Sequence, residues 1–277
     1  MGPITALFKF TIRQALTDRK IWLAVLLLAA PLTLILVIRS AAPPAELEAD
    51  LWEMYHVSVQ FFLMLALIPL VCMVYGTALI GADVEARTIV YLTTRRMRRA
   101  TILLVKFVAT ALVLSVMCDL AAFGVHFCTL AGRDLPALSA RFPIYANWSP
   151  AGDLAGYLMV IPLGVVSFLA VFTLIGLIAP RPLAFSVVYL VLVEMILSNI
   201  PVRARVYSLS HYVRESLAGV IPRVTSLYEL PRELRDELYP TGATGLPELG
   251  IIVAVALMLC AVLITTRQLM PTKVARE

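Results

Sequence analysis

The residues best placed to do more than pack are Asp83 and Glu85, followed by Arg87, Thr88, Ile89, Leu92, Arg95, Arg96, Arg98, Arg99 and Lys106. Acids followed by dense positive charge, on a loop too short to fold alone, suit being gripped by a second protein better than bond-making. Three more titratable groups interrupt apolar stretches: Asp119, His126 seven residues later on roughly the same helical face, and Glu194. An ionised side chain at a membrane-helix centre costs about 2.5–3.5 kcal/mol on insertion scales, so such groups face a cavity or a partner. Two readings of Asp119 and Glu194 stand side by side. One is a pathway lining or proton-sensitive gate; the other is a hydrogen-bonded carboxyl that fixes packing, for Glu194 with Ser198 or Asn199. The sequence contains no G-x-x-x-x-G-K-[ST] phosphate loop, H-E-x-x-H pair or G-x-S-x-G elbow. His56, His126 and His211 are scattered, with no nucleophile beside them. Cys72, Cys118, Cys128 and Cys260 all sit in apolar runs without metal-ligand spacing and read as buried, structural thiols. The chain is therefore expected to be neither an enzyme nor the holder of a metal or cofactor of its own.

The elements that must position these residues follow from composition. Of 277 residues 61% are hydrophobic and only 15% charged, against roughly 45–50% and about 25% in soluble domains. The mean hydropathy is +0.90. A hydrocarbon layer of about 30 Å needs about 20 apolar residues in a helix. Six runs meet that need: Ile21–Ile38, Val57–Ala82, Ile102–Ala131, Leu154–Ile178, Leu183–Ile200 and Leu249–Thr266. The expected fold is an all-α polytopic membrane protein, a single transmembrane domain over residues 1–277 with six spans. Pro31, Pro69 and Pro162 fall inside the first, second and fourth spans as candidate kinks.

The net charge of +5 and pI near 9.1 do not point to nucleic acid, because the cations gather in alternate loops. They crowd the N-terminal segment (Lys9, Arg13, Arg19, Lys20), the loop after the second span, the link with Arg181, and the tail (Arg267, Lys273, Arg276). The intervening loops contain most of the acids, although 201–248 also carries six arginines. The positive-inside bias then puts both termini and the basic loop in the cytoplasm; the expected location is a bacterial inner membrane. The N-terminus is not expected to be a cleaved signal, since its charged lead-in is long.

Residues 1–20 repeat apolar positions (Ile4, Leu7, Phe8, Thr11, Ile12, Ala15, Leu16) at helical spacing, with Lys9, Arg13, Thr17 and Lys20 on another face. That pattern predicts an amphipathic helix at the lipid interface. Ala179-Pro180-Arg181-Pro182 predicts a tight link, because the prolines forbid helix continuation. Residues 201–248 form the one long extracytoplasmic segment. Within it Tyr212–Ile221 is moderately apolar, too short to span, and predicts a re-entrant or surface-lying helix that gates the outer face through Tyr212, Leu217 and Ile221. Glu229–Leu238 predicts a charged helix beside it.

The stretch from Glu85 to Lys106 resembles the permease subunits of type-2 ATP-binding-cassette (ABC) exporters. In that family an acid, a Thr-Ile or Thr-Leu pair, a Leu and a basic turn precede a Lys that opens the third span. Glu85, Thr88, Ile89, Leu92, Arg99 and Lys106 occupy those places here. Arg87 stands where the family often has Gly, and Arg96-Met97-Arg98-Arg99 replaces its Pro-x-Ser-Arg-like turn. The resemblance implies a permease whose residues 83–101 form a cytoplasmic coupling loop seated on a separate ABC ATPase subunit. That partner would carry the ATP and Mg. It further implies a dimer with a second permease copy or paralogue in the lipid bilayer, and a role in export or translocation. A proton-coupled secondary transporter using Asp119 and Glu194, and a non-transporting scaffold or signalling subunit, remain open beside it.

Overall fold

The computed structural model describes residues 3–41, 43, 48, 50–85, 99–142, 145, 148–199, 203–221 and 245–266. Among the described residues, six helices are long and apolar enough to cross a membrane: Lys20–Ala41, Leu51–Leu79, Arg99–Leu130, Pro150–Ile178, Pro182–Asn199 and Leu246–Thr266. The chain is a multi-pass helical membrane protein. The six expected spans are all present, the largest shift being the second, which begins at Leu51 rather than Val57.

In chain order the elements are α1 (Pro3–Thr17), α2 (Lys20–Ala41), α3 (Leu51–Val57), a π-helical stretch (Ser58–Leu67) and α4 (Ile68–Glu85). There follow α5 (Arg99–Leu130), α6 (Leu135–Arg141), α7 (Pro150–Ile178) and α8 (Pro182–Tyr189). After α8 come a second π-helical stretch (Leu190–Ile196) and two 3₁₀ turns, Leu197–Asn199 and Arg203–Tyr207. Further along the chain come α9 (Leu209–Val220) and α10 (Leu246–Thr266). Local chemistry accounts for several boundaries. Ser149 caps α7 by accepting from the Gly152 amide, with Pro150 at the first helical position. Asp134 caps α6 in the same manner. Gly132, at φ 73°, makes the left-handed turn that ends α5. Pro69 lacks the amide for the carbonyl four residues back, and the turns just before it are widened into the π form.

The spans form two tiers. More than half of the most apolar window is buried in spans two, three and four (61%, 56% and 56%), against 22% in each of spans one, five and six. The inner three are α3–α4, α5 and α7. α7 is central, packing on α4, α5, α9 and α10. Its Tyr157, Ile161, Phe168, Leu169 and Phe172 are fully enclosed, as are Leu63 and Ile68 of span two and Leu103 and Leu114 of α5. The apolar side chains left exposed on the outer spans, such as Leu26 and Met258, have hydrocarbon as their natural solvent.

Glycine sets the closest helix approach. A Cβ on Gly76 of α4 would lie 2.8 Å from Phe172 Cβ, and one on Gly176 of α7 would lie 3.0 Å from the Thr77 backbone. Small residues at these two points let the α4 and α7 backbones nearly touch. At the opposite end, Arg39 at the close of α2 donates to the carbonyls of Cys128 and of Ala131 (2.9 Å), satisfying the open C-terminus of α5.

α1 buries Leu7, Thr11 and Ala15 and packs along α5, while Ile4, Phe10 and Leu16 stay exposed. The link between α7 and α8 is the short Ala179–Arg181 turn that the two prolines predict. The helix expected over Tyr212–Ile221 is α9, which starts three residues earlier. The charged helix expected over Glu229–Leu238 lies outside the described residues.

Candidate functional site

The basic loop is rooted in the inner tier. α4 runs to Glu85, with Asp83 in its last turn, and α5 begins at Arg99. Arg87, Thr88, Ile89, Leu92, Arg95, Arg96 and Arg98 lie outside the described residues. Arg99 is exposed, whereas Lys106, two turns into α5, is only 3% exposed. At 1.5 Å per residue Lys106 is about 10 Å from the start of α5.

Glu194 sits in the π-helical part of span five and is 2% exposed. Its Oε1 accepts from the Tyr189 hydroxyl (2.7 Å) and the Leu209 amide (3.0 Å). Its Oε2 accepts from the Ser208 hydroxyl (2.7 Å), the Ser210 amide (2.9 Å) and the Ser210 hydroxyl (2.6 Å). These five hydrogen bonds, two from backbone amides and three from hydroxyls, engage both carboxyl oxygens. Three of the residues supplying these donors, Ser208, Leu209 and Ser210, form the first turn of α9. Glu194 thus caps α9 from another element, its carboxyl oxygens meeting amides that have no partner within the helix. The expected partners Ser198 and Asn199 are used otherwise. The Ser198 carbonyl accepts from Arg205 Nε (2.8 Å) and Arg214 Nη1 (3.0 Å), and Asn199 Oδ1 accepts from Arg214 Nη2 (2.7 Å).

α9 lies antiparallel along α7. A Cβ on Gly164, halfway along α7, would be 3.7 Å from Val213, and one on Gly156 would be 2.8 Å from Ile221. Of the expected gate residues, Leu217 and Ile221 are buried in this contact, and Tyr212 is half-buried beside the His211 ring. His211 is buried, in a helix outside the six spans. Burial pushes its imidazole down to about 4, and the nearby Arg205 and Arg214 charges add to the shift.

A second polar cluster joins spans two, three and four at the end away from the basic loop. His56 is wholly buried; its Nε2 lies 3.1 Å from Asp153 Oδ2 and its Nδ1 is 2.6 Å from the Tyr157 hydroxyl. The Trp148 indole donates to the same Asp153 oxygen at 2.7 Å. His126 Nδ1 is 3.3 Å from the Tyr55 hydroxyl, and the Tyr55 ring meets those of His56, His126, Trp148 and Tyr157. The Nε2 contact with Asp153 lacks hydrogen-bond geometry, so the ring is fixed by Tyr157 at Nδ1.

The pathway candidates therefore separate. Glu194 and His126 belong to different clusters, and Asp119 to neither. One Asp119 carboxyl oxygen is enclosed without a hydrogen-bond partner among the described residues. His56 and His211, which looked isolated in the sequence, are each tied into a cluster. The signals that would have located them were local. Ser208 two residues before Ser210 is a helix N-cap pattern, and Trp52, Tyr55 and His56 share a helical face, as do Asp153 and Tyr157. Among the described residues no three His, Cys, Asp or Glu side chains gather as metal ligands would.

Compared with known proteins, the chain matches no family model, and no curated protein matches it.

Proposed function

We propose that this chain is the membrane-spanning permease subunit of an ATP-driven exporter or translocator, moved through its basic loop by a separate ATPase subunit that binds ATP and Mg. The observation that carries this reading is the rooting of the loop. α4 and α5, the helices on either side of it, both belong to the buried inner tier, and α4 meets α7 backbone to backbone at Gly76 and Gly176. A push on residues 83–101 is delivered to the core of the bundle and not to its rim. The resemblance of Glu85, Thr88, Ile89, Leu92, Arg99 and Lys106 to the type-2 ABC pattern supplies the partner. Two permease copies, or one and a paralogue, then alternate between inward- and outward-open forms as the ATPase pair favours one of them.

In this reading both termini and the loop face the cytoplasm of a bacterial inner membrane. α1 lies in the headgroup layer with Phe10 and Leu16 toward lipid. α9 is a re-entrant helix on the outer side, held by Glu194, and it forms the gate with Tyr212, Leu217 and Ile221. A proton-coupled carrier built on Asp119 and Glu194 is less well supported, because the donors around Glu194 already occupy it as a helix cap. A scaffold without transport would show no substrate-stimulated ATP hydrolysis.

The test uses the native assembly extracted in mild detergent. An ATPase should co-purify. Glu85→Arg, or alanine at Arg95, Arg96, Arg98 and Arg99 together, should release it or uncouple hydrolysis from transport while insertion is preserved. A chain that purifies without a hydrolase and still transports without ATP would overturn the reading.

A further inference from the structure

An exposed apolar face on a membrane-spanning bundle needs no partner, because hydrocarbon covers it. One face of α5 is different. Leu112, Val116, Asp119 and Phe123 follow each other at spacings of four, three and four, the repeat of a helix-packing seam. Leu112, Val116 and Phe123 are each about half exposed, so the seam looks out of the bundle while other sides of α5 pack on α1, α2 and α7. Asp119 lies in the middle of it, half-buried, with one carboxyl oxygen enclosed and without a hydrogen-bond partner among the described residues.

Asp119 stands about 30 Å along α5 from Arg99 and about 16 Å before Leu130. A side chain as short as aspartate does not reach a headgroup from there. Lipid alone would leave the carboxyl unmet in hydrocarbon, which is costly near a helix centre. Something polar at this depth must therefore cover the seam. Two copies of this chain, inserted the same way and related by a twofold axis along the membrane normal, place Asp119 opposite its own counterpart at equal depth. A carboxyl that carries its proton is both donor and acceptor. Two of them satisfy each other with no second residue type, and a turn about the last side-chain bond brings both oxygens to the open side.

We infer that the Leu112–Phe123 seam of α5 is where a second copy of this chain docks, with Asp119 hydrogen-bonded to Asp119 of the other copy and Val116 and Phe123 packed around the pair. The carboxyl site is incomplete in one chain and is completed by two. Polar side chains join membrane helices in this manner, with close packing beside them. The inference rests on the two-copy part of the proposed function and not on its ATPase part.

The experiment takes the full chain in lipid vesicles and in mild detergent. Self-association is read as energy transfer between dye-labelled copies and as the monomer–dimer ratio at sedimentation equilibrium. Wild type should pair. Asp119→Leu should weaken pairing at least about tenfold, whereas Asp119→Asn, whose amide can also meet its copy, should stay within about threefold. Val116→Trp blocks the seam and leaves the carboxyl in place; it should weaken pairing as much as Asp119→Leu does. Met258→Trp, on an exposed face of α10, should not. If Asp119→Leu does not fold, Val116→Trp decides. A benzophenone-bearing residue at Phe123 should cross-link to a second copy. A wild type that stays monomeric, undiminished pairing by Asp119→Leu or Val116→Trp, or cross-linking from Phe123 only to lipid or to a different protein would overturn the inference. ATPase co-purification is read separately. Pairing without an ATPase leaves this surface standing, and an ATPase bound by a chain that does not pair removes this surface alone.

Discussion

Glu194 accepts a hydrogen bond from the Ser210 hydroxyl, sixteen residues later, at 2.6 Å, and with it holds the whole first turn of α9. The carboxyl in span five and the start of α9 are one structural unit, closed on its far side by Arg205 and Arg214 on the Ser198 carbonyl. An acidic residue in an apolar span is here the fixture of a neighbouring helix.

Replacing Glu194 by Gln keeps its shape but turns an amide NH₂ toward the Leu209 or the Ser210 backbone amide, neither of which can accept. The expected cost is about 1–3 kcal/mol, that of a buried donor left unsatisfied. Cysteine placed at Ser216, 1% exposed in α9, should react slowly with a water-soluble maleimide in the parent and quickly with Gln at 194. Equal rates would show that the cap does not hold the helix.

His211 makes the docking of α9 pH-dependent. Its folded value near 4 lies below the unfolded value of about 6.5, so the unfolded state binds more protons between them. Stability is fully present above about 6.5 and falls as the pH drops toward 4, by up to about 3 kcal/mol. Unfolding temperatures at pH 7 and 4.5 should differ more for the parent than for His211→Gln. A pH dependence identical in both would remove His211 as the cause.

Tyr157→Phe removes the hydroxyl 2.6 Å from His56 Nδ1 and leaves a buried ring nitrogen without that partner. A loss of about 1–3 kcal/mol is expected, read as a lower unfolding temperature together with a changed Trp148 emission, since Trp148 shares Asp153 with His56. Unaltered emission and stability would mean the cluster is not mechanically continuous.

Gly176→Leu places a side chain against the Thr77 backbone, 3.0 Å from where its Cβ would stand. Neither backbone can give way cheaply, so α4 and α7 must part, at a cost of about 1–3 kcal/mol. If the loop acts through α4, hydrolysis in the assembly should survive while transport falls. Gly250→Leu, where nothing lies within 4 Å, is the control and should behave as wild type.

The sequence by itself determined the class, the number of spans and where they run, because crossing a hydrocarbon layer demands an unbroken apolar helix whose length can be counted. It also carried the turn at Pro180 and Pro182 and the presence of a helix within residues 1–20 and another near Tyr212–Ile221, since periodicity is local. The ranking of the spans was left to the tertiary structure. Span one has mean hydropathy 2.8 and span four 2.6, yet one is 22% buried and the other 56%. Lipid is as apolar as a protein interior, so composition does not record which helix faces which. The roles of Glu194 and His56 were decided in the same way. A buried polar group is defined by the donors and acceptors that meet it, and Ser210 and Asp153 reach theirs only when the chain folds.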